Sequence, residues 1–541
     1  MFAKSIIRMG VPVSPRNIFP SNIQGLPTWY EVRVTEQGWL GRRGGVDLMV
    51  AMNPQTWAAD VKEIEPGGYL FYDNSKPLPK SSFREDVTVI GMPLTQISNA
   101  TYDDPRQRQL FKNIIYVGAL SHLLGIDADV IETLIGQQYK SKPKLLDANI
   151  HALHLGITHA KEHLAPIGLR VQKADNVGDK IFVDGNTAAA LGCVYGGATV
   201  CAWYPITPSS SLAEAFQSYC QKFRVDPATG KNRYAMIQAE DEIASIGIVT
   251  GAGWNGARAF TTTSGPGVSL MNEFIGLAYF AEIPVTIIDV QRGGPSTGMP
   301  TRTQQSDIVA AAYASHGDTK HVLLLPEDPH ECFEFSAQAL DLADRLQTPI
   351  FVMTDLDIGM NQRLCAPFTW DDARAYDRGK VMTAEELEAG RDFGRYKDVD
   401  GDGIPYRTYP GTHPTKGSYF TRGTSRDPYA RYSERGPDYL YNMERLLQKF
   451  DTAKSLVPQP ILRTAKKKAN FGAIFYGSTS PSMDEAIGVL EAQDLHLDTL
   501  RIRAFPFPES VRQFVLSHER VFLIEQNRDA QLRSLLINEF D

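Results

Sequence analysis

The sequence predicts a multidomain α/β protein built around a parallel β-sheet. Across residues 181–360, apolar strand runs alternate with helical segments, which is the pattern of a parallel sheet covered by helices on both faces. The same alternation returns in residues 470–541. The length of 541 residues is enough for about three or four domains.

The central region has the clearest elements. Strands are predicted at Ala198–Tyr204, Arg258–Thr263, Pro284–Gln291, His321–Leu325 and Pro349–Thr354. Helices are predicted at Ser211–Tyr219, Glu242–Trp254, Val268–Phe280, Gln304–Ser315 and Pro329–Leu346. Ligands of such sheets bind at the carboxyl ends of the strands, so the loops that follow these strands are the candidate sites.

The regions on either side of residues 181–360 have less clear patterns. Residues 1–150 predict an α/β unit, and residues 151–180 predict a mostly helical linker. Residues 365–455 are rich in Arg, Tyr, Gly, Pro and Asp and predict an irregular excursion over a surface, where a partner can dock. Residues 456–541 predict a last α/β domain. The strands are predicted at Val46–Met52, Tyr69–Tyr72, Val87–Ile90, Gly472–Tyr476, Asp498–Arg503 and Val521–Glu525, and one helix at Lys112–Gly125.

Composition excludes several classes of protein. The net charge of -8 argues against a nucleic-acid binder, which usually carries a basic field. No apolar run approaches the ~18 residues of a membrane span, and the N-terminus has no apolar core of a signal peptide, so we expect no membrane contact and no signal peptide. The cysteine spacings suit no disulfide framework, so we expect a protein of the reducing cytoplasm. The five cysteines form no Cys-x-x-Cys pair, which argues against an iron–sulfur cluster on this chain.

Three glycine-, proline- or hydroxyl-rich loops directly follow predicted strands. The first, beginning at Trp203, presents Thr207 between two prolines, and Ser211 and Glu214 can cap the next helix. The second, Thr261-Thr-Thr-Ser-Gly-Pro-Gly, lets a ligand approach the backbone and a helix N-terminus. Each of these two loops taken alone is also compatible with a plain turn.

The third loop begins at Arg292 and continues Gly-Gly-Pro-Ser-Thr-Gly-Met-Pro-Thr-Arg. An arginine can bind a carboxylate bidentately. Thr297 and Thr301 supply hydroxyls nearby, so a binding loop is favoured over a surface charge.

The segment Gln238-Ala-Glu-Asp-Glu-Ile-Ala begins a helix with three carboxylates. Acids at a helix start usually interact with the helix dipole. Glu242, however, begins a face of small residues that must pack closely, and a buried carboxyl there could share a proton with a ligand.

Four motifs together resemble the pyrimidine-binding domain of the 2-oxoacid:ferredoxin oxidoreductases. They are Tyr204-Pro-Ile-Thr-Pro, Glu240-Asp-Glu-Ile-Ala, Thr263-Ser-Gly-Pro-Gly and Gln291-Arg-Gly-Gly-Pro-Ser-Thr-Gly-Met-Pro-Thr. The resemblance extends over nearly the whole chain. Residues 1–150 are similar to the family's gamma domain, fused ahead of alpha as in 2-oxoglutarate enzymes. Residues 181–364 are similar to the pyrimidine-binding domain, and residues 456–541 to a transketolase C-terminal domain.

The resemblance implies a reaction and a set of site residues. The reaction is coenzyme A-dependent oxidative decarboxylation of 2-oxoglutarate to succinyl-CoA with electrons to ferredoxin, a reversible step of the oxidative or reductive TCA cycle that fixes CO2 in reverse. Glu242 matches the acid that bonds N1′ of the thiamine diphosphate aminopyrimidine. Residues matching the substrate contacts are Thr207, Arg292, Thr301 and a gamma-domain lysine, Lys112; further cofactor contacts are Tyr204, Pro205, Ser264 and Gly265.

The resemblance also implies a partner. A beta subunit is expected to bind most of the thiamine diphosphate, its Mg²⁺ and a [4Fe-4S] cluster, in an (alpha-beta)2 heterotetramer that reduces ferredoxin. Two departures from the family pattern stand out: the chain begins at the helix after the family's first strand and glycine-rich loop, and it stops before an expected last strand. We expect that the chain is clipped or that its numbering begins inside the protein.

Three other patterns are weaker. Gly401-Asp402-Gly403 resembles the start of a diphosphate-binding motif but lacks the later Asn. Asp398-Val-Asp-Gly-Asp-Gly has the oxygen spacing of a calcium loop, but Tyr409 stands at the twelfth position, which favours an acidic turn. His159-Ala-Lys-Glu-His163 matches a zinc pattern without a third ligand.

Two alternatives to the leading hypothesis stay open at this point. The same reaction can act on pyruvate, branched-chain or aryl 2-oxoacids, because every 2-oxoacid has the C1 carboxylate that an arginine binds. The chain can also be a non-catalytic scaffold for a beta subunit.

Overall fold

The computed structural model describes residues 1–21 and 26–540 and divides the chain into two compact units, Met1–Lys180 and Ile181–Asp541. We call them the N-terminal unit and the C-terminal unit. The predicted boundary at residue 150 lies inside a long helix of the N-terminal unit, Pro143–His163. The family identity given to each predicted domain stays a prediction.

The N-terminal unit contains a three-stranded parallel sheet and a helical layer. Its elements are α1 (Phe2–Arg8), β1 (Ser14–Ile18), β2 (Trp29–Arg33), β3 (Val46–Ala51), α2 (Trp57–Glu63), β4 (Ile64–Asp73), a 3-10 turn (Lys80–Ser82), β5 (Thr88–Met92), α3 (Leu94–Thr101), α4 (Pro105–Leu124), α5 (Ala128–Gln138) and α6 (Pro143–His163). The strands predicted in this region are present, in the order β3-β4-β5, and β1 pairs with β2 as an antiparallel ribbon.

Two glycines set how closely α4 and α6 approach. A Cβ on Gly118 would lie 2.1 Å from the Leu153 carbonyl oxygen, and one on Gly156 would lie 1.9 Å from that of Ile115. Neither position has room for a side chain, so the two helix backbones are in direct contact.

The C-terminal unit begins with the elements of a large parallel sheet. They are β6 (Ile181–Val183), α7 (Gly185–Tyr195), β7 (Val200–Trp203), α8 (Ser210–Phe223), β8 (Ala235–Gln238), α9 (Glu242–Trp254), β9 (Ala259–Thr263), α10 (Gly265–Ala281), β10 (Val285–Gln291), α11 (Ile308–Ala312), β11 (Val322–Leu324), α12 (Pro329–Leu346), β12 (Pro349–Asp355), α13 (Leu356–Met360) and β13 (Arg363–Cys365).

The remaining elements of this unit surround a second sheet. They are α14 (Ala384–Glu388), α15 (Gly436–Leu456), β14 (Ile461–Arg463), β15 (Phe471–Tyr476), a 3-10 turn (Gly477–Thr479), α16 (Ser480–Ala492), β16 (Asp498–Ile502), β17 (Ala504–Phe505), α17 (Glu509–Leu516), β18 (Arg520–Ile524) and α18 (Gln531–Phe540).

The sheet order confirms the predicted α/β architecture. The large sheet has the order β17-β11-β12-β10-β9-β7-β8, and every neighbouring pair in it is parallel except β11 with β17. The second sheet has the order β14-β16-β15-β18. Buried apolar residues from both sheets form one continuous core, and β17 joins the large sheet from the C-terminal part of the chain. The two sheets therefore pack as one body.

Local details of the sequence prediction were wrong at three places. Helix α8 starts at Ser210 without a side-chain cap, and Ser211 instead accepts a hydrogen bond from Asn186. The spacing of Ser482 and Glu485 also predicts a capping box at a helix start, but α16 starts at Ser480 without a side-chain cap. The segment predicted as helix over 304–315 is helical only in α11, because a polar loop fills its first part.

The excursion predicted over residues 365–455 has only the short helix α14 before residue 436, but it does not lie only on a surface. Its last part is the long helix α15, and two of its large side chains, Tyr396 and Arg426, are fully buried. Arg445 and Lys449 of α15 bind the Glu282 carboxylate at the end of α10. The segment is thus anchored in the unit by buried charges, which composition alone does not reveal.

Candidate functional site

The candidate site lies at the carboxyl edge of the large sheet. Strands β7, β8, β9 and β10 run parallel, so the loops after them meet at one edge. Two of the four motifs singled out in the sequence follow β7 and β8, and the other two begin with the last residues of β9 and β10. The parallel topology therefore brings together segments that are up to about a hundred residues apart.

Glu242 is the first residue of α9, and its side chain is buried at this edge. The preceding Asp241 caps the helix by accepting a hydrogen bond from the Ala244 amide at 2.7 Å, so Glu242 is not needed for capping. Within residues 1–21 and 26–540, the Glu242 carboxylate accepts no hydrogen bond. Its oxygens, unlike the Ser264 hydroxyl, are not fully enclosed by the protein, so a ligand can reach them and supply a donor.

Gly267 in the first turn of α10 makes room for Glu242. A Cβ at this position would lie 2.9 Å from Cγ of Glu242 and 1.9 Å from Oγ1 of Thr263. The glycine that the sequence placed here for close ligand approach thus also accommodates the catalytic candidate. Helices α9 and α10 pack together, since a Cβ on Gly247 would contact the Phe274 ring at 3.2 Å.

Arg292 follows β10 and is 7% exposed. Its Nη1 donates a hydrogen bond of 2.6 Å to the carbonyl oxygen of Thr207, so the structure joins the first and third loops. Burial lowers the pKa of Arg292, while the negative charges of Asp307 and Glu242 oppose that shift. The guanidinium is therefore a buried cation close to two carboxylates, and its Nε–H has no partner in the described part of the chain.

Ser264 and Gly265 lie at the start of α10, next to Asp307. The Ser264 hydroxyl is buried without a hydrogen-bond partner among the residues described. A Cβ on Gly265 would lie 2.6 Å from Oδ2 of Asp307, so this carboxylate rests against the glycine. The helix N-terminus that the sequence predicted as open to a ligand anion thus already has an acid of the same chain beside it.

Sequence reasoning missed Asp289 and Asp307. Asp289 lies within β10, is fully buried, and neither of its carboxylate oxygens has a hydrogen-bond partner in residues 1–21 and 26–540. Burial, together with the charge of Asp307, raises the pKa of Asp289 well above its usual value. Burial raises the pKa of Asp307 to about 6, against the opposing charge of Arg292. The sequence signal that could have pointed to Asp289 is the presence of an acid inside the apolar strand Val285–Gln291.

The predicted contacts Thr301, Tyr204 and Pro205 make no hydrogen bond to Arg292 in the described residues. Thr301 is buried in the loop after β10, and its hydroxyl accepts a 3.1 Å hydrogen bond from Arg302; no hydrogen bond joins it to Arg292 in the described residues. Tyr204 and Pro205 are exposed at the end of β7.

Lys112 belongs to the N-terminal unit. It lies on α4, where its Nζ is 3.8 Å from Oδ2 of Asp73. Burial would raise the pKa of Asp73, but hydrogen bonds from Ser75 and Thr95 outweigh it and lower that pKa. A carboxylate at the end of β4 thus accompanies this lysine.

The acidic turn at Asp398 is filled by a lysine. Nζ of Lys380 lies 2.6 Å from Asp400 and 2.7 Å from Asp402, which places an ammonium group where a calcium ion would need these oxygens. A Cβ on Gly403 would clash with the backbone of α15 at 2.5 Å, and residues 391–402 before it contain no strand. The structure therefore favours the acidic turn over calcium and over a diphosphate motif.

The zinc pattern has no further support. The rings of His159 and His163 contact each other at 4.6 Å on α6. No third His, Cys, Asp or Glu joins them as a candidate metal ligand in the part of the chain that the structure describes.

The site fits the aminopyrimidine of thiamine diphosphate. That ring needs a carboxyl hydrogen-bonding partner in a pocket shielded from water, and Glu242 is a buried carboxylate with no other partner among the described residues. The Ser264 hydroxyl without a partner in the described residues and the close approach of Gly267 to Glu242 also suit a ligand at this edge of the sheet. Across the described helices, none is long and apolar enough to cross a membrane.

Comparisons with known proteins indicate the family of the chain. The family model for the thiamine diphosphate-binding region of pyruvate flavodoxin/ferredoxin oxidoreductase matches residues 191–388, and that for pyruvate ferredoxin/flavodoxin oxidoreductase matches residues 1–159. The chain is 28% identical to 2-oxoacid:ferredoxin oxidoreductase 2, subunit alpha, of Aeropyrum pernix, over 98% of this chain and 89% of that protein.

Two further relatives are informative. The chain is 32% identical to 2-oxoglutarate synthase subunit KorA of Methanothermobacter thermautotrophicus, over 64% of this chain and 88% of that protein. It is similar to the structure of 2-oxoglutarate:ferredoxin oxidoreductase from Magnetococcus marinus with 2-oxoglutarate, coenzyme A and succinyl-CoA bound, with a TM-score of 0.88 and 27% identity, covering 99% and 91% of the two chains. The motifs, the sheet that gathers them and these relatives agree, and the chain belongs to the alpha subunits of the 2-oxoacid:ferredoxin oxidoreductases.

Proposed function

We propose that this chain is the alpha subunit of a 2-oxoglutarate:ferredoxin oxidoreductase, which converts 2-oxoglutarate and coenzyme A to succinyl-CoA and CO2 and reduces ferredoxin, in a reversible reaction. The observation that carries the proposal is the buried Arg292 guanidinium near the unpartnered Glu242 carboxylate. The choice of 2-oxoglutarate is supported by relatives whose names specify that substrate and by the gamma-like region ahead of the alpha part.

Each residue has a proposed role. When bound, thiamine diphosphate would supply the nucleophile for the 2-oxo carbon and hold the electron pair that remains after CO2 leaves. Glu242 holds a proton in a hydrogen bond to N1′ of the aminopyrimidine. Arg292 binds the C1 carboxylate of the 2-oxoacid, and its hydrogen bond to the Thr207 carbonyl orients the guanidinium. Thr207 and Thr301 supply hydroxyls to the substrate.

The remaining assignments rest on motif position. Lys112 is the proposed lysine of the gamma-like region. Tyr204, Pro205, Ser264 and Gly265 are the proposed further contacts to the cofactor.

The proposal requires a beta subunit. We assign to it the diphosphate, Mg²⁺ and the [4Fe-4S] cluster, in an (alpha-beta)2 heterotetramer that passes electrons to ferredoxin. Large apolar side chains are exposed around the candidate site, as a docking face would have: Tyr204, Ile243, Leu270 and Met299. All five cysteines are buried, which suits structural roles for them rather than cluster ligation at a surface.

A substrate series tests the choice of 2-oxoacid. The reconstituted complex is supplied in turn with 2-oxoglutarate, pyruvate and 2-oxobutyrate, together with coenzyme A and methyl viologen. We expect the highest kcat/KM with 2-oxoglutarate, which differs from pyruvate and 2-oxobutyrate by its second carboxylate. A preference for pyruvate would contradict this choice and favour the alternative, a relative acting on another 2-oxoacid.

Replacement of Arg292 by lysine tests the carboxylate contact. Lysine keeps the positive charge but loses the planar pair of donors, so we expect KM for the 2-oxoacid to rise about 10- to 100-fold, the equivalent of one charged hydrogen bond. The matched control is Arg233→Lys, at a side chain that is 71% exposed on a distant turn. An unchanged KM in Arg292→Lys would remove Arg292 from the substrate site.

A further inference from the structure

The loop that carries Arg292 and Thr301 is folded on itself. It spans residues 292–307, and we call it the β10–α11 loop. The Gly293 amide donates a 2.9 Å hydrogen bond to the Arg302 carbonyl oxygen, which joins the start of the loop to its second half. Arg292 directly precedes Gly293, and Thr301 directly precedes Arg302. The position of both side chains therefore depends on where the second half of the loop is fixed.

The second half of the loop is fastened through its backbone to the second sheet. The Gln305 amide donates a 3.0 Å hydrogen bond to the Gln526 carbonyl oxygen. The Gln305 carbonyl oxygen accepts hydrogen bonds from Nδ2 of Asn527 at 3.0 Å and from the Tyr476 hydroxyl at 3.3 Å. Tyr476 ends β15, and the other two partners follow β18. Strands of the second sheet thus hold a loop that belongs to the large sheet.

Gln531, the first residue of α18, holds the next residue of the loop. Its Nε2 donates a 2.6 Å hydrogen bond to the Ser306 carbonyl oxygen, and its Oε1 accepts one of 3.2 Å from the Val309 amide of α11. Oδ1 of Asn527 in turn accepts a 3.1 Å hydrogen bond from the Gln531 amide. Each of these two side-chain amides therefore gives its donor to the loop and uses its oxygen elsewhere.

The side chain of Gln305 attaches the same point of the loop to the large sheet. It is buried, and its Nε2 donates hydrogen bonds to Oδ2 of Asp355 at 2.8 Å and to the Ser478 hydroxyl at 3.2 Å. Asp355 ends β12 and caps α13. One attachment through a side chain leaves the backbone free to turn about it. The hydrogen bonds from Asn527 and Gln531 to two successive carbonyl groups remove that freedom.

Arg292 has few other restraints. Its one hydrogen bond within the described residues goes from Nη1 to the Thr207 carbonyl oxygen, and its Nε–H has no partner there. Two parallel donors bind a carboxylate only when the guanidinium lies within about 0.5 Å of the productive position. The backbone of the β10–α11 loop must therefore supply much of this precision.

We propose that Asn527 and Gln531 are positioning residues for the 2-oxoacid: they hold the β10–α11 loop so that Arg292 meets the C1 carboxylate with both donors. The inference rests on the proposed function, since it takes Arg292 as the substrate contact. Neither amide touches the substrate. Both act through the carbonyl groups of Gln305 and Ser306.

Gln531→Glu and Asn527→Asp test this role in the reconstituted complex. Each variant keeps the size of the side chain and its acceptor oxygen but loses the N–H that the loop accepts. We expect KM for the 2-oxoacid to rise about 3- to 10-fold, the equivalent of one neutral hydrogen bond, with kcat and KM for coenzyme A unchanged. A merely structural role would lower the thermal midpoint and the yield of active complex, and it would leave KM for the 2-oxoacid unchanged.

Two exposed residues of the second sheet region supply matched controls. Gln513→Glu makes the same change on α17. Asn470→Asp reproduces a side effect of Asn527→Asp, because both asparagines donate to a neighbouring glutamate, Glu519 at 3.0 Å and Glu525 at 2.9 Å. Both controls should keep the wild-type KM for the 2-oxoacid.

Combination with Arg292→Lys tests whether Gln531 acts through Arg292. If it does, Gln531→Glu should raise KM little further in the Arg292→Lys background, and full multiplication of the two effects would overturn the proposal. A raised KM in Arg292→Lys with wild-type values in Gln531→Glu and Asn527→Asp would leave the proposed function standing and overturn this inference. An unchanged KM in Arg292→Lys would overturn the carboxylate contact and this inference with it.

A second measurement needs no turnover. Hydrogen exchange of the complex reports how firmly the β10–α11 loop is held. We expect faster exchange of the peptide that covers residues 292–307 in Gln531→Glu, with β9 and β10 unchanged. Exchange at the wild-type rate in this peptide would contradict a positioning role for Gln531.

Discussion

Replacement of Glu242 by glutamine is expected to lower kcat of the reconstituted complex by about 10²- to 10⁴-fold, the usual contribution of a positioned acid or base. Glutamine fills the same space above Gly267, but it cannot hold an exchangeable carboxyl proton at N1′ of the aminopyrimidine. Because the carboxylate accepts no hydrogen bond from the described residues, its loss should leave the fold intact. The measurement is coenzyme A-dependent reduction of methyl viologen, with the thermal midpoint as a check on folding.

The matched control for this variant lies in the same motif. Glu240 is exposed two residues earlier, and Glu240→Gln should retain wild-type turnover. If Glu242→Gln keeps wild-type turnover, the chain is a non-catalytic scaffold for its partner, which is the alternative interpretation of the site. If both variants lose activity while the complex fails to assemble, the segment acts through subunit docking instead of catalysis.

Replacement of Glu282 by glutamine is expected to destabilise the C-terminal unit by about 3–5 kcal/mol, the cost of removing one partner from a buried ion pair. Glu282 is fully buried, and Oε2 lies 2.9 Å from Nη1 of Arg445 and 2.8 Å from Nζ of Lys449. Burial alone would raise the pKa of Glu282, but these two cations outweigh it and hold that pKa well below its usual range. Glutamine would leave both cations buried without their counter-charge.

The backbone at Glu282 supports the same interpretation. The residue ends α10 in the left-handed region, with φ of 59°, where glycine is the usual choice. The carboxylate at this costly backbone position anchors α15 through Arg445 and Lys449. The measurement is the thermal midpoint, together with proteolysis of residues 366–435, which should become faster in Glu282→Gln.

The exposed Glu388 serves as the control for stability. It pairs with Lys416 at 2.8 Å in the same region of the chain, at a side chain that is 64% exposed. Glu388→Gln should change neither the midpoint nor the rate of proteolysis, because exposed ion pairs contribute little. Equal effects of the two substitutions would contradict a special role for the buried cluster.

The fold class and the main site loops were predictable because their signals are local. Alternating apolar runs determine strands and helices, and parallel strands necessarily bring their following loops to one edge of the sheet. Thr207, Glu242 and Arg292 could therefore be expected near one another from the predicted strands alone. The same reasoning failed at Ser482 and Glu485, where the residue types fit a capping box but the N-cap is Thr479, three residues before Ser482.

Contacts between distant segments were not predictable in this way. Asp307 reaches Gly265 only because a polar loop after β10 folds back over the sheet, and its spacing along the chain carries no periodic signal. Glu282 and Arg445 are separated by more than a hundred and sixty residues, most of them irregular or in other elements. Their meeting depends on how α10 and α15 pack.

The sequence by itself determined the α/β architecture, the loops of the site and the family, because these depend on short-range periodicity and on long, specific motifs. Only the tertiary structure decided that Glu242 is buried without a partner among the described residues and that Arg292 is tied to the Thr207 carbonyl. It alone placed Asp307 against Gly265 and buried the anchors of residues 365–455. The physical reason is that burial and the pairing of charges are properties of the packed chain, set by what surrounds each side chain and not by its neighbours in sequence.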